Sequence, residues 1–134
     1  MRAVICIDDD FGRLFADRRQ SRDRRLCEDI AETVDDGTLY IEKYSEPLFS
    51  ELCCKTCVCE EPPKEENAFF FFEKTDPSGY GEFVSEWIVY HWNRLYPSDE
   101  KFSKELLVGF RLVSTSEFEG TSHKRITKEV YVRE

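Results

Sequence analysis

Hydrophobic residues occur along the chain in short runs that alternate with polar segments, which is the pattern of an α/β protein. Residues 3–7 (AVICI) are apolar throughout, as expected of a strand buried on both faces of a mainly parallel sheet. Apolar residues at four-residue spacing within residues 20–34 indicate one face of an amphipathic helix. Residues 38–41 (TLYI) predict a second strand, and residues 45–53 (SEPLFSELC) predict a short helix with proline in its first turn.

The second half of the chain is richer in strands. Residues 55–59 (KTCVC) and 68–72 (AFFFF) predict a third and a fourth strand, and a short helix then leads to a fifth strand at 87–92 (WIVYHW). Residues 110–118 and 124–133 have alternating stretches, as a terminal antiparallel pair does. We therefore expect an α/β fold with a mainly parallel central sheet, flanking helices and a C-terminal antiparallel hairpin.

Composition excludes several classes of protein. Of the 134 residues, 40% are hydrophobic and 14% are aromatic, so we expect residues 1–134 to fold as a single domain. The net charge of −9 opposes phosphate backbones and predicts no direct binding of nucleic acid. No run reaches the roughly 18 apolar residues that a membrane span needs, and the first residues do not form an export signal. We expect a cytoplasmic protein without membrane contact.

Two clusters of potential metal ligands occur, and neither predicts a metal site. The segment CCKTCVC contains one CxxC, from Cys54 to Cys57, but structural zinc sites generally need a second pair elsewhere in the chain. We expect reduced, partly buried thiols there. Asp8, Asp9 and Asp10 are candidate ligands of a divalent cation, but aspartates at a strand end serve equally well as turn residues.

Residues 13–25 (RLFADRRQSRDRR) are the main candidate for a binding site. Six arginines against two aspartates give this segment a charge of +4 in a chain of −9. A guanidinium group binds carboxylate or phosphate with paired hydrogen bonds, although a solvated helix face paired with acids elsewhere is the alternative. Asp23 is either a buried carboxylate that binds a heterocycle or a first-turn residue that favours the helix dipole. The candidates here are Arg13, Arg18, Arg19, Arg22 and Asp23.

When the C-terminal antiparallel hairpin is included, the chain resembles dihydrofolate reductase. In that family a first strand leads past a glycine into a loop and a helix that bears the substrate carboxylate; here VICIDDDFG ends in the glycine, and Asp23 takes the helix position. The family's next strand ends in a glycine, a basic residue and a hydroxyl residue that hold cofactor phosphate. The segment YIEKYSEPLF has Lys43 and Ser45 at the last two positions but Glu42 in place of the glycine.

The segment FFFFEKTDPSGYGEFVSEWIVYHW resembles a further family region, in which a strand is followed by a glycine pair, a helix and another strand. Glu73 and Lys74 replace the glycine pair. A side chain there obstructs the approach of a pyrophosphate to the backbone, and Glu73 adds a negative charge. The resemblance therefore implies the fold, whereas these replacements predict no tight NADPH binding and no cofactor.

These observations lead to one functional hypothesis and two alternatives. We expect a non-redox dihydrofolate reductase-like protein that binds a small anionic or heterocyclic ligand, or a protein partner, through the arginine-rich loop and helix. Lys43 and Ser45 are further candidate ligand-binding residues. One alternative is an acidic inhibitor or adaptor, for example phage-encoded, that docks on a basic surface of its target. The other is an atypical NADPH-dependent reductase, so the sequence leaves enzymatic activity open.

Overall fold

The structure, a computed structural model, describes residues 1–134. Its ten strands are β1 (Arg2–Ile7), β2 (Gly12–Phe15), β3 (Arg18–Arg19), β4 (Leu39–Ile41), β5 (Thr56–Val58), β6 (Phe69–Phe71), β7 (Glu86–His91), β8 (Glu100–Lys101), β9 (Phe110–Phe118) and β10 (Ile126–Arg133). The α-helices are α1 (Arg24–Val34) and α2 (Glu46–Phe49), and three 3₁₀ helices cover Lys43–Ser45, Pro77–Phe83 and Lys104–Leu107.

Seven strands form the central sheet, in the order β5-β4-β6-β1-β7-β10-β9. The five strands from β5 to β7 run parallel, whereas β10 is antiparallel to β7 and to β9. The predicted fold class, a mainly parallel sheet with flanking helices and a C-terminal antiparallel hairpin, is confirmed. The order β3-β2-β8 defines a second, small antiparallel sheet that the pattern did not predict.

The sheet separates two apolar cores. The four-phenylalanine run shows the division, because Phe69 and Phe71 belong to the core under α1 and α2, whereas Phe70 and Phe72 belong to the opposite core. Alternation of successive side chains across a strand produces this split. The opposite core is covered by side chains of the 3₁₀ helices Pro77–Phe83 and Lys104–Leu107. None of the helices has the length and apolar character that crossing a membrane requires.

Helix α1 positions the candidate site. Its buried face consists of Leu26, Cys27, Ile30 and Val34, as the spacing predicted. The helix begins at Arg24 rather than near residue 20, because residues 20–23 are irregular and Asp23 caps the first turn by accepting the N–H of Leu26. The short α2 packs beside it, with a proline in its first turn.

Candidate functional site

A turn directly after β6 presents three successive backbone N–H groups, and a carboxylate of the same chain accepts all of them. We call residues 73–75 the amide turn. Glu42 Oε2 accepts the N–H of Glu73 at 2.7 Å and that of Thr75 at 3.3 Å. The N–H of Lys74 lies 3.1 Å from each oxygen of the same carboxylate. Consecutive amides that converge in this way form an anion-binding concavity, so Glu42 fills a site suited to an external anion.

Strand pairing explains why Glu42 reaches the amide turn. Glu42 follows β4 and Glu73 lies two residues beyond β6, and these two strands are parallel neighbours, with Ile41 opposite Phe71. The carboxyl ends of both strands therefore lie at one edge of the sheet, where open α/β sheets bind ligands.

The side chain of Glu73 points away from the amide turn and is held by two other residues. Arg19 donates to it from Nε and from Nη2, both at 2.8 Å, and Ser45 Oγ donates at 2.8 Å. Arg13 donates from Nη1 to the Glu73 backbone carbonyl at 3.1 Å. Three predicted site residues, Arg13, Arg19 and Ser45, are thus brought together around Glu73. A guanidinium group does bind an anion here with paired hydrogen bonds, but that anion is a carboxylate of the chain itself.

Tyr44 fixes the orientation of Arg19. The guanidinium carbon lies 4.2 Å from the centre of the Tyr44 ring, and Arg19 Nη2 donates to the Tyr44 carbonyl at 3.1 Å. Burial alone would lower the pKa of Arg19, but its hydrogen bonds with Glu73 and the charge of Glu73 outweigh burial and raise it. Arg19 is therefore a fixed cation at the mouth of the cleft.

The cleft behind this ion pair is narrow. The remaining cavity has a volume of about 20 Å³ and is lined by residues that include Cys6, Cys27, Phe71 and Trp92. This volume holds roughly one water molecule and excludes any ring-containing ligand. Burial, together with the charge of Glu73, raises the pKa of the Cys27 thiol to about 12, so it is protonated and a poor nucleophile.

Asp23 lies at the start of α1 with its carboxylate saturated by hydrogen bonds. It accepts the N–H groups of Leu26, Thr121 and Ser122 at 3.1, 3.0 and 2.8 Å, and His123 Nδ1 lies 3.0 Å away. Burial alone would raise the pKa of Asp23, but the bonds from His123 and from these N–H groups hold it well below its usual range. Asp23 acts here as a helix cap and as the anchor of the hairpin loop (residues 119–125).

His123 is the residue of this cluster that the sequence did not indicate. Its ring stacks on Trp92, with centroids 4.7 Å apart, and its Nε2 lies 2.8 Å from Tyr96 Oη. It lies 100 positions from Asp23 in sequence. No local motif signals a contact over that separation.

Beside the narrow cleft, the start of α1 and helix α2 line a larger groove of about 340 Å³. We call it the Arg22 groove. The side chains of Pro47, Leu48 and Leu52 give it apolar surface, and its remaining lining residues are Arg22, Asp23, Arg24, Cys27, Glu51, Thr121 and Ser122.

The six arginines of residues 13–25 differ in their partners. Arg13, Arg19, Arg24 and Arg25 each lie within 4.0 Å of at least one carboxylate of the chain. Arg18 and Arg22 are exposed and form no ion pair, and Lys43 is likewise exposed and unpaired. Among the predicted ligand-binding residues, Arg18, Arg22 and Lys43 are therefore the ones free to contact a ligand.

The aspartate run after β1 has a turn role. Asp8 is buried and accepts the N–H groups of Asp10, Gly12 and Tyr96 at 2.9, 2.7 and 3.1 Å. No group of three or more His, Cys, Asp or Glu side chains is arranged to hold a metal ion.

Sequence comparisons find no matching family model and no matching curated protein. Among solved structures, the chain is similar to dihydrofolate reductase from Enterococcus faecalis, determined in complex with NADP(H) and RAB-propyl. The TM-score is 0.69 at 11% sequence identity, and the match covers 98% of this chain and 95% of that chain. Such a low identity establishes the fold alone. The chain therefore has a dihydrofolate reductase-like fold.

Proposed function

We propose that this chain is a non-redox dihydrofolate reductase-like protein that binds a small anionic ligand containing a ring, through the Arg22 groove. The observation that carries the non-redox part is the carboxylate of Glu42 on the amide turn. A cofactor phosphate at that turn has to displace an anion that is covalently part of the protein and is always present at high effective concentration.

Nicotinamide dinucleotide does not fit the residues present. Glu42 already occupies the amides that would receive a phosphate group, and the Glu73 carboxylate adds a second negative charge beside them. The cavity of about 20 Å³ behind the Arg19–Glu73 pair has no room for a nicotinamide ring or for a pteridine. We therefore derive no hydride transfer for this protein.

The Arg22 groove supports the binding part of the proposal. Apolar surface from Leu48 and Leu52 suits one face of a planar ring, and the unpaired guanidinium of Arg22 suits a carboxylate or phosphate on that ring. The neighbouring Arg24 is paired with Glu28 and Glu51, and the Asp23 carboxylate is held by N–H groups and His123. Arg22 is therefore the cation of this groove without an ion-pair partner.

Titration with NADPH tests the non-redox part. Isothermal calorimetry should detect no binding in the micromolar range, and no NADPH oxidation should follow the addition of dihydrofolate. The Enterococcus faecalis enzyme, whose structure contains NADP(H), is the positive control. A micromolar or tighter dissociation constant for this chain would overturn the proposal and favour the atypical reductase.

Titration with benzoate and phenyl phosphate tests the groove, with amide chemical shifts as the readout. We expect saturable shifts at Leu48, Leu52 and Ser122, and their loss in Arg22→Gln. Arg111→Gln is the matched control, because Arg111 is an exposed arginine of β9 without an ion pair, outside the groove. Shifts that persist in Arg22→Gln, or that spread evenly over the surface, would contradict the assignment.

A further inference from the structure

A second and larger groove lies across the hairpin loop from the Arg22 groove. It has a volume of about 800 Å³, and we call it the Arg94 groove. The residues that line it are Trp92, Asn93, Arg94, Ser122, His123, Lys124 and Arg125. Three of them are cationic and none is a carboxylate, in a chain whose net charge is −9.

The positive charge of the Arg94 groove is largely uncompensated. Arg94 and Lys124 are exposed and form no ion pair. Arg125 lies 3.6 Å from Glu117, but the two side chains are 67% and 51% exposed, and an ion pair in water contributes little. The guanidinium of Arg94 lies 5.5 Å from the centre of the Tyr96 ring, which restrains it while its N–H donors stay free.

Hydrogen bonds and ring stacking hold the residues that line the Arg94 groove in place. Asn93 has a φ of 59° and donates from Nδ2 to the Arg125 carbonyl at 3.1 Å and to Thr127 Oγ1 at 2.9 Å. These bonds connect the end of β7 to the start of β10. The floor is the stacked pair of Trp92 and His123, both of which are buried. The three cations therefore project from a fixed frame.

From this charge and this frame we propose that the Arg94 groove binds a small molecule that carries a di- or triphosphate group. Several negative charges on one compact group match three cations that surround a single open space, and arginine binds phosphate oxygens in pairs. A volume of about 800 Å³ lies within the range of small-molecule sites. A nucleic acid fits less well, because it extends beyond the groove over an acidic surface.

Inorganic tripolyphosphate is the probe for this proposal, titrated at low salt by calorimetry and by amide chemical shifts. We expect saturable binding that weakens as salt is added, with the largest shifts at residues 93–94 and 122–125. The double variant Arg94→Gln/Lys124→Gln should bind at least about tenfold more weakly, because it removes two of the three cations of the groove and their charge-assisted hydrogen bonds to phosphate. Both side chains are exposed, so thermal unfolding should be unchanged.

The matched control is Arg18→Gln/Arg22→Gln, which removes the same charge from two exposed arginines outside the Arg94 groove. It should bind tripolyphosphate as the wild type does, whereas it should lose the benzoate shifts that test the proposed function. If both double variants bound tripolyphosphate equally weakly, the attraction would come from net charge alone, and the proposed site in the Arg94 groove would be wrong. Absence of saturable binding to the wild type, or weakening confined to the control variant, would overturn it as well.

Discussion

Replacing Glu42 with alanine gives the sharpest test of the filled anion site. The wild-type carboxylate accepts hydrogen bonds from the three N–H groups of the amide turn, at distances between 2.7 and 3.3 Å. Alanine leaves those three donors without a protein acceptor. If the carboxylate stabilises the turn as we infer, Glu42→Ala must lose stability well beyond the effect of an ordinary surface substitution.

The expected loss is about 3 kcal/mol. A hydrogen bond to a charged group contributes about 1.5–3 kcal/mol net, so three of them give an upper bound of about 5–9 kcal/mol. The amide turn is only partly buried, and water replaces much of the lost bonding once the carboxylate is gone. Glu42→Gln keeps an acceptor oxygen and loses only the charge, so we expect about 1 kcal/mol for that variant.

Urea denaturation of the wild type, Glu42→Ala and Glu42→Gln measures these differences, with Glu46→Ala as an exposed control. Pyrophosphate should then stabilise Glu42→Ala more than it stabilises the wild type, because an external anion occupies the vacated turn. Comparison with the wild type removes the general stabilising effect of phosphate salts. A loss below about 0.5 kcal/mol for Glu42→Ala would refute the reasoning, as would equal stabilisation of both proteins by pyrophosphate.

Four further outcomes are expected. The pKa of Asp23 is lowered in the fold, so the ionised carboxylate stabilises the fold above the unfolded pKa of about 3.9, and this stabilisation is lost as the pH falls below that value. In urea denaturation, Asp23→Asn should therefore lose less stability than the wild type between about pH 4 and pH 2. Parallel pH dependence of the two proteins would contradict this. Gly120→Ala places a Cβ 2.5 Å from Asp23 Oδ2 and should lower the free energy of unfolding by about 1–3 kcal/mol. Gly79→Ala is the control, because no atom lies within 4 Å of its Cβ, and it should leave the free energy of unfolding nearly unchanged. Arg19→Met leaves a buried Glu73 without its ion-pair partner and should lower the free energy of unfolding by about 3–5 kcal/mol, and a loss below about 1 kcal/mol would contradict the pairing. A strong zinc chelator should leave the melting temperature unchanged, and a fall of several degrees would reveal a structural metal.

The strands of the main sheet and helix α1 could be predicted from the sequence, because their hydrophobic patterns are local. Four-residue spacing located the buried face of α1, and continuous apolar runs located β1 and β6. The small sheet of β2, β3 and β8 gave no such signal, since β3 consists of two arginines. Its connecting turn uses Ala16 and Asp17 at φ values of 52° and 60°, and neither is the glycine that usually marks positive φ.

The candidate site was predictable only in part, because its contacts are distant in sequence. The sequence predicted the arginines of residues 13–25 as candidate anion-binding residues, and Glu42 and Glu73 as obstacles to a phosphate. It did not indicate that Arg19 binds Glu73, 54 positions away, or that Glu42 accepts the amides of residues 73–75. Strand order decides both contacts, and strand order is a property of the complete sheet.

The two acidic replacements explain each other in electrostatic terms. Converging amides without an acceptor lower the stability of the fold wherever burial limits water, so the amide turn needs an anion, either from a ligand or from the chain itself. Glu42 supplies that anion, and its charge excludes the side chain of Glu73 from the same place. Glu73 therefore requires a separate cation, which Arg19 provides. Once the internal site is neutralised in this way, the cations left for a ligand are exposed ones on the surface, and those of the two proposed grooves lie on either side of the hairpin loop.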